Sequence, residues 1–316
     1  MGWNAEFLTS PTHKFMSMRI LIAGLIVAIF TACGSSKKTD EQAFLEGLDT
    51  AKVEGPPISE EVISSILESI PQPLEISSLL KESGKKYNAG YLNSPDFTSK
   101  YNSNYKRALN LGIYGADLGY TNIYEKNQDG VKYMAAIKEM ADGLNIGRFF
   151  DIETIGRLAT NSKNLDSLLL ITTQNFNQIN HYLQTQNRSN LSVLLITGGW
   201  LEALHITSEV ASLSPDNVEL RETIGSQKII LENIMLLLSF YKESDQSMAS
   251  LLNDLDELKK AYDKVNITYT YKESTFEIKD GVMVIKDNST STIDITNDDL
   301  TAIKSITSNI RNKITS

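Results

Sequence analysis

Small residues recur along one helical stretch, and they constrain the fold more than any other feature of the sequence. Residues 107–125 have helical apolar spacing, yet Gly112, Gly115 and Gly119 lie inside it. Each glycine costs a helix interior about 1 kcal/mol. With Ala108 they recur every three or four residues and therefore share one face. We predict that a second helix packs on this face backbone to backbone, and that Gly115→Leu unfolds the domain.

The predicted partner of this face is the segment around Gly198, Gly199 and Ala203, which carries a second set of small residues. Helical spacing extends over most of the remaining chain, in segments separated by short polar loops. These segments are 132–144, 148–160, 165–186, 191–213, 218–241 and 247–265. Successive helices with short connections indicate an antiparallel bundle or array.

The pattern changes after residue 265. Residues 266–271 alternate between apolar and polar side chains, and an Asp-Gly pair at 280–281 separates two apolar runs, which is a hairpin signal. Thr296 stands three residues before Asp299, the spacing of a capping box at the start of a last helix. We predict a mainly α fold, an antiparallel helical bundle or array with a small C-terminal β-hairpin region and a final helix.

An apolar run near the N-terminus predicts export. Arg19 precedes the run at 20–30, and this arrangement is typical of a secretory signal. The run is shorter than the stretch of about 20 residues that spans a bilayer. The sequence Thr31-Ala32-Cys33 resembles the lipobox of bacterial lipoproteins, which implies cleavage before Cys33 and acylation of that residue.

The cysteine count favours the same interpretation. Cys33 is the single cysteine of the chain, so an exported form cannot make an internal disulfide, and acylation gives the thiol a role. Gly34 follows it, and the resemblance to sorting rules of Gram-negative lipoproteins implies the outer membrane, with the periplasmic or surface face left open. The membrane is therefore an expected partner, through the N-terminal lipid.

These signals divide the chain into four predicted parts. They are a leader and signal peptide at 1–32, a flexible tether at 33–40, a helical domain at 41–265, and a β-hairpin with a C-terminal helix packed on that domain at 266–316. The true start is left open between Met1, Met16 and Met18. The formal net charge is −9, and it becomes −10 at Cys33 because the leader carries Lys14 and Arg19 against Glu6. An acidic chain is a poor nucleic-acid binder, so no nucleic-acid partner is expected.

The order of segments resembles that of uncharacterised helical lipoproteins of Gram-negative bacteria. The residues that carry this resemblance are Cys33, the helix at 108–120, Gly198-Gly199-Trp200, the Tyr-rich strand and the ending Ile310-Arg311-Asn312-Lys313-Ile314. The resemblance implies an architecture and a location, and no activity.

Residue patterns of known catalytic or metal sites are weak in this chain. Glu202 and His205 form a single Glu-x-x-His pair, whereas a di-iron bundle needs two such pairs and two further glutamates. We therefore expect a satisfied contact on a helix surface, and we predict no metal and no cofactor. A polar, Tyr-rich loop at 88–104 is expected to be fixed to the domain by its tyrosines.

The favoured function is a non-enzymatic module that binds or scaffolds an unknown envelope protein or ligand, with Trp200, Asp117 and Glu202 as candidate ligand-binding residues. One alternative is an enzyme with a site built from Asp117, Glu153 and Glu202. Another is a glycan-binding module, which requires several exposed aromatic rings on one face. Paired buried carboxylates in a crevice would favour the enzyme, and a filled core would favour the scaffold.

Overall fold

The computed structural model describes most of the chain from residue 79 onward. The described residues are 79–151, 165–279, 282–286 and 288–316, together with 62, 65, 66 and 153; for 165–173, 176, 276–279 and 282–286 only the backbone is described. The predictions for the leader, for Cys33 and for the tether lie outside the described residues, and so does nearly all of the segment at 151–164.

Helices dominate the described residues. They are α1 (Asn104–Ile123), α2 (Asn127–Gly143), α3 (Leu165–Thr185), α4 (Ser189–Ser212), α5 (Val218–Ser239), α6 (Gln246–Tyr262) and α7 (Asn297–Thr315). The strands are β1 (Asn266–Thr270), β2 (Thr275–Lys279), β3 (Val282–Lys286) and β4 (Thr290–Asp294). Short 3-10 turns occupy Ala89–Tyr91, Pro95–Lys100 and Gly147–Phe150. The predicted mainly α fold with a small C-terminal β region and a final helix is confirmed.

Helix α4 is the centre of the fold. It packs against α1, α3, α5 and α7, and nearly every residue along it is buried. Among the described helices it is the one long and apolar enough to cross a membrane, and its apolar window is 100% buried inside the protein. A helix surrounded by four neighbours needs apolar residues on all sides, which accounts for this composition.

The predicted backbone contact between two small-residue helices is present between α1 and α4. A Cβ atom at Gly112 would overlap the carbonyl oxygen of Leu195 and lie 2.6 Å from the backbone nitrogen of Gly199. A Cβ at Gly198 would overlap the carbonyl oxygen of Leu109. The close approach of the two backbones therefore needs glycine on both helices.

The expectation for Gly115 is wrong. This glycine is exposed, and a Cβ built on it meets no atom within 4 Å. A helical face is wider than the line along which two backbones touch, so periodicity alone does not show which small residues lie on that line. The residue that requires glycine is Gly112, one turn earlier.

The four strands form two antiparallel two-stranded sheets, which follow one another along a β-ribbon. β1 pairs with β4 and β2 pairs with β3, both antiparallel, and Thr270 is the partner of Thr290. Ile293 packs at the position of Gly225 in α5, where a side chain would collide with it. Further along the ribbon Tyr269 and Tyr271 are exposed. The ribbon is thus attached to the domain through its base.

Helix α7 begins at the predicted capping box. The hydroxyl of Thr296 accepts a hydrogen bond from the backbone nitrogen of Asp299 (3.2 Å), and the Asp299 carboxylate accepts one from the backbone nitrogen of Thr296 (3.0 Å). Ile303 and Ile310 bury the apolar face of the helix. This face packs on α4 and α6, which brings the end of the chain to the centre of the fold.

Candidate functional site

Five polar residues meet in the interior where α1, α4, α7 and the loop before α1 converge. We call Asn93, Asn110, Asp117, Glu202 and Arg311 the buried polar cluster. Asp117 and Glu202 are 0% exposed and Arg311 is 9% exposed. Buried charges are rare unless they are paired, and perturbed acids are concentrated at functional sites. This cluster is therefore the main candidate for a functional site in the described residues.

Three helices position the charged members of the cluster. Asn110 and Asp117 are seven residues apart on α1 and so lie on one face, two turns from each other. Glu202 lies on α4, and Arg311 lies in the last turn and a half of α7. The helices are held in contact by the apolar core, and their polar side chains are enclosed as a result.

Arg311 and Glu202 form a bidentate ion pair. Nε of Arg311 donates to Oε2 of Glu202 at 2.6 Å, and Nη2 donates to Oε1 at 2.8 Å. Nη2 also donates to the carbonyl oxygen of Tyr91 at 3.2 Å. The planar guanidinium matches the carboxylate in this geometry, and it occupies both oxygens of Glu202.

Asp117 lies beside this pair and has no cation of its own. Its Oδ2 accepts a hydrogen bond from the backbone nitrogen of Asn93 at 3.2 Å, and its carboxyl group is close enough to Glu202 for the two charges to repel each other. Within the described part of the chain no donor reaches its Oδ1. Burial raises the pKa of Asp117 well above its ordinary value, and the negative charge of Glu202 raises it further, against the opposing effect of Arg311.

Amide and tyrosine groups connect the cluster to both ends of the described chain. Nδ2 of Asn93 donates to Oδ1 of Asn110 at 3.2 Å and to the Tyr101 hydroxyl at 3.0 Å. The Tyr101 hydroxyl donates to the carbonyl oxygen of Thr315 at 3.2 Å. The hydroxyl of Tyr133 on α2 donates to the carbonyl oxygen of Asn93 at 2.9 Å. Tyrosines therefore do fix the loop at 88–104 to the domain.

His205 follows Glu202 by one turn and is also largely buried. Its Nδ1 lies 3.2 Å from Oγ of Ser308 on α7. Burial lowers the pKa of His205, which keeps the imidazole neutral. The predicted surface contact for the Glu202–His205 pair is replaced by an interior one with α7. No group of three or more metal-binding side chains occurs among the described residues.

Two other predicted site residues lie apart from the cluster. Trp200 is 3% exposed, and its indole nitrogen donates to Oε1 of Gln227 at 3.0 Å, so its ring belongs to the core between α4 and α5. Glu153 is exposed, unlike Asp117 and Glu202. The structure thus brings together two of the three acids predicted for an enzyme. Tyr269 and Tyr271, two residues apart on the ribbon, are exposed tyrosine rings outside the cluster.

Sequence reasoning missed Arg311 and Asn93. The signal for Arg311 was present, because it follows the buried Ile310 and precedes the buried Ile314 in an amphipathic helix. A charged residue beside the apolar stripe of a helix needs a buried partner of opposite charge. Nothing in the loop sequence distinguishes Asn93 from its polar neighbours, because its role depends on where the loop folds back.

The cluster combines features of the enzyme and of the scaffold that the sequence left open. A carboxyl group with a raised pKa next to a carboxylate can act as a general acid or base, but only within hydrogen-bond reach of a substrate. Here both acids are wholly buried, and Arg311 occupies the oxygens of Glu202. The pair of acids therefore lies in the interior, out of contact with solvent.

Comparisons with protein-family models, with curated proteins and with solved structures find no match to this chain. The fold and the cluster define a class only: an α-helical domain with a buried polar centre and a β-ribbon near its C-terminus. The resemblance to helical lipoproteins stays a prediction.

Proposed function

We propose that this protein is a lipid-anchored protein of the outer membrane whose helical domain is a non-enzymatic binding or scaffolding module. The observation that supports the non-enzymatic part of the proposal is the complete burial of the two acids in the buried polar cluster. Its acids are 0% exposed and are used to join α1, α4 and α7. With α7 in this position, a substrate in solution does not reach either acid.

The anchoring part of the proposal comes from the sequence. Cys33 follows a signal-type apolar run and two small residues, and the segment at 34–41 is short, polar and suited to a flexible tether. Each buried CH2 of an acyl chain contributes about 0.8 kcal/mol, so two or three chains hold a protein stably on a membrane. The net charge of −9 opposes attraction to anionic lipids, which leaves the acyl chains to provide the affinity.

A second candidate function is an enzyme that uses Asp117 and Glu202. The burial of two interacting acids and the raised pKa of Asp117 favour it, because perturbed acids cluster at active sites. It would require α7 to move away so that a substrate can reach the acids. Its consequence is that Asp117→Asn abolishes the biological role of the protein without loss of fold.

Two measurements test the leading proposal. Mass spectrometry of the native protein should show a chain that begins at acylated Cys33, and an unmodified thiol or an intact leader would contradict the anchor. Photo-cross-linking in intact cells should then be done from three exposed apolar positions on different elements: Val131 on α2, Ile229 on α5 and Tyr269 on β1.

A binding module should capture one identified neighbour from one of these positions and not from the others. The same neighbour should co-purify with the wild type, and substitution of the cross-linking side chain by serine should abolish co-purification. Equal capture of abundant proteins from all three positions would contradict a specific binding surface. A folded Asp117→Asn variant that keeps the biological role of the protein would count against the enzyme.

A further inference from the structure

The buried polar cluster contains one more acid than it has cations. Asp117 and Glu202 are fully buried, and Arg311 is the cation that acts on both of them. If both acids were ionised, a net negative charge would remain where water cannot solvate it, which is strongly unfavourable. One added proton makes the three groups neutral overall.

The hydrogen bonds around the two acids place this proton on Asp117. Both oxygens of Glu202 accept from the Arg311 guanidinium, at 2.6 and 2.8 Å, which is the geometry of an ionised carboxylate. Asp117 receives one neutral N–H, from Asn93, and within the described residues its Oδ1 has no donor. Glu202 is therefore the acid whose charge Arg311 compensates directly, and the added proton is assigned to Asp117.

We propose that Asp117 and Glu202 share one proton, held on Asp117, and that this proton is required for tight docking of α7 and of the loop at 88–101 onto α1 and α4. The three contacts of that junction depend on the same two acids or lie beside them. Asn93 donates to Asp117, Arg311 joins Glu202 to the carbonyl of Tyr91, and Tyr101 binds the carbonyl of Thr315.

The other titratable groups near Asp117 keep one charge state around neutral pH. Burial raises the pKa of the surrounding tyrosines, which stay neutral, and burial lowers the pKa of His205. Burial lowers the pKa of Arg311, but its neighbours, Glu202 first among them, together raise it by more, so Arg311 stays charged. The groups facing the acids from all packed elements are Tyr87 and Tyr101 in the loop region, Tyr114 on α1, Tyr133 on α2, Glu202 and His205 on α4, and Arg311 on α7.

The sign of the pH dependence follows from this arrangement. Asp117 is protonated in the folded protein at pH values where the unfolded chain has lost that proton, so folding takes up one proton. This contribution to stability is fully present below the pKa of Asp117 in the unfolded chain. It is lost as the pH rises through the pKa in the folded protein, which is the higher of the two. Rising pH therefore loosens α7 and the loop.

Urea unfolding of the detergent-solubilised full chain, followed by Trp200 fluorescence at several pH values, tests the proposal. Between the pKa of Asp117 in the unfolded chain and its higher pKa in the folded protein, the folding constant of the wild type should fall as the pH rises. The fall should be at most about tenfold per pH unit, the limit for one proton. Asp117→Asn should remove this dependence and fold at least as well as the wild type above neutral pH. Asp142→Asn, which changes an exposed acid on α2, should keep the wild-type slope.

Glu202→Gln gives a second and independent prediction. It removes the neighbouring negative charge and leaves Asp117 buried next to Arg311, so the pKa of Asp117 should fall relative to that in the wild type. The loss of stability with rising pH should then begin at a lower pH than in the wild type. If Asp117→Asn does not fold, hydrogen exchange of the wild type decides: protection of 88–101 and of α7 should fall with pH beyond the intrinsic increase in rate, and more than protection of α5.

Three results would overturn the proposal. The first is a wild-type slope that Asp117→Asn leaves unchanged. The second is an Asp117→Asn variant that is destabilised equally at every pH, which would indicate a purely structural carboxylate. The third is equal pH dependence of exchange in α7 and α5.

Discussion

At the residue scale, Arg311 decides whether the interior of this protein can hold two acids. Its guanidinium gives Glu202 two hydrogen bonds and reaches the backbone of Tyr91 as well. Replacement by an apolar side chain of similar length would leave a buried carboxylate without its cation. The cost of breaking a buried pair from one side is larger than the net contribution of the intact pair.

Arg311→Met should lower the free energy of unfolding by about 3–5 kcal/mol, because Glu202 becomes an uncompensated buried charge. Lys313→Met is the matched control on the same helix, since Lys313 pairs with Asp254 while its side chain is 63% exposed. The control should cost no more than about 1 kcal/mol. Urea unfolding of both variants measures the difference, and similar losses in the two would contradict the assigned role of the buried pair.

Two glycines of α1 should respond in opposite directions to the same change. Gly112→Ala should destabilise severely, because its Cβ would collide with the backbone of α4 at Leu195 and Gly199. Gly115→Ala should stabilise by about 0.5–1 kcal/mol, because Gly115 is exposed, has open space around it, and alanine is the better helix former. Thermal unfolding of the pair tests this, and a destabilised Gly115→Ala would show that Gly115 has a contact after all.

The glycines and the acids also show what the sequence could reveal at this scale. Spacing alone located the contact between the helices of Gly112 and Gly198, because each must offset the same propensity cost. It could not single out Gly112 from Gly115, since both lie on the predicted face. The sequence indicated Asp117 and Glu202 as candidate site residues but not Arg311. Pairing between residues on separate helices depends on how the helices pack, which a single sequence does not encode locally.

At the scale of elements, the junction between the ribbon and α7 is set by the capping box at Thr296. The hydroxyl of Thr296 lowers the pKa of Asp299 through its side-chain hydrogen bond, and the Thr296 backbone N–H adds to the effect while burial opposes it. Both orphan donors at the helix start are thereby satisfied. This element could be predicted from the sequence because all its determinants lie within four residues.

Thr296→Ala should lower the free energy of unfolding by about 1 kcal/mol at neutral pH, through the loss of the N-cap. The pKa of Asp299 is below its ordinary value of 3.8 in the folded protein, so the contribution of this carboxylate is present above that value and is lost as the pH falls below it. The difference in free energy of unfolding between the wild type and Thr296→Ala should therefore become smaller at acid pH.

Ser103→Ala provides the control for this pH effect. Ser103 caps α1 by accepting from the backbone nitrogen of Lys106 at 3.2 Å, and its third helical residue is a lysine where α7 has an aspartate. Loss of the Ser103 cap should lower the free energy of unfolding by a similar amount at neutral pH. The difference between the wild type and Ser103→Ala should stay the same at acid pH. If the difference in free energy of unfolding between the wild type and Thr296→Ala stays constant down to pH 3, Asp299 does not contribute to the cap.

At the scale of the whole molecule, the last residues of the chain close the domain. Arg311 binds Glu202, the carbonyl of Ile314 accepts from Asn110, and the carbonyl of Thr315 accepts from Tyr101. The last two contacts join segments more than 200 positions apart with the central helix α4 between them. Long-range closure of this kind makes the parts it joins unfold together.

Deletion of residues 311–316 should therefore cost more stability than a larger deletion in the ribbon. The short deletion removes the cation of the buried polar cluster and the carbonyl partners of Asn110 and Tyr101, so we expect a loss above about 3–5 kcal/mol. The loop at 88–101 should also lose hydrogen-exchange protection. In the control, residues 271–289 are replaced by Asn-Gly between the paired Thr270 and Thr290, a turn that suits a two-residue hairpin.

The ribbon variant should unfold within about 1 kcal/mol of the wild type and keep the exchange protection of 88–101. This expectation follows from the attachment of the ribbon through its base, where Ile293 packs on α5, and from the exposure of Tyr269 and Tyr271 beyond it. If the ribbon deletion proved the more damaging of the two, the centre of stability would have to be moved from the buried polar cluster to the β-ribbon. The domain would then depend on its C-terminal sheet, and the acids at α1 and α4 would be free for another role.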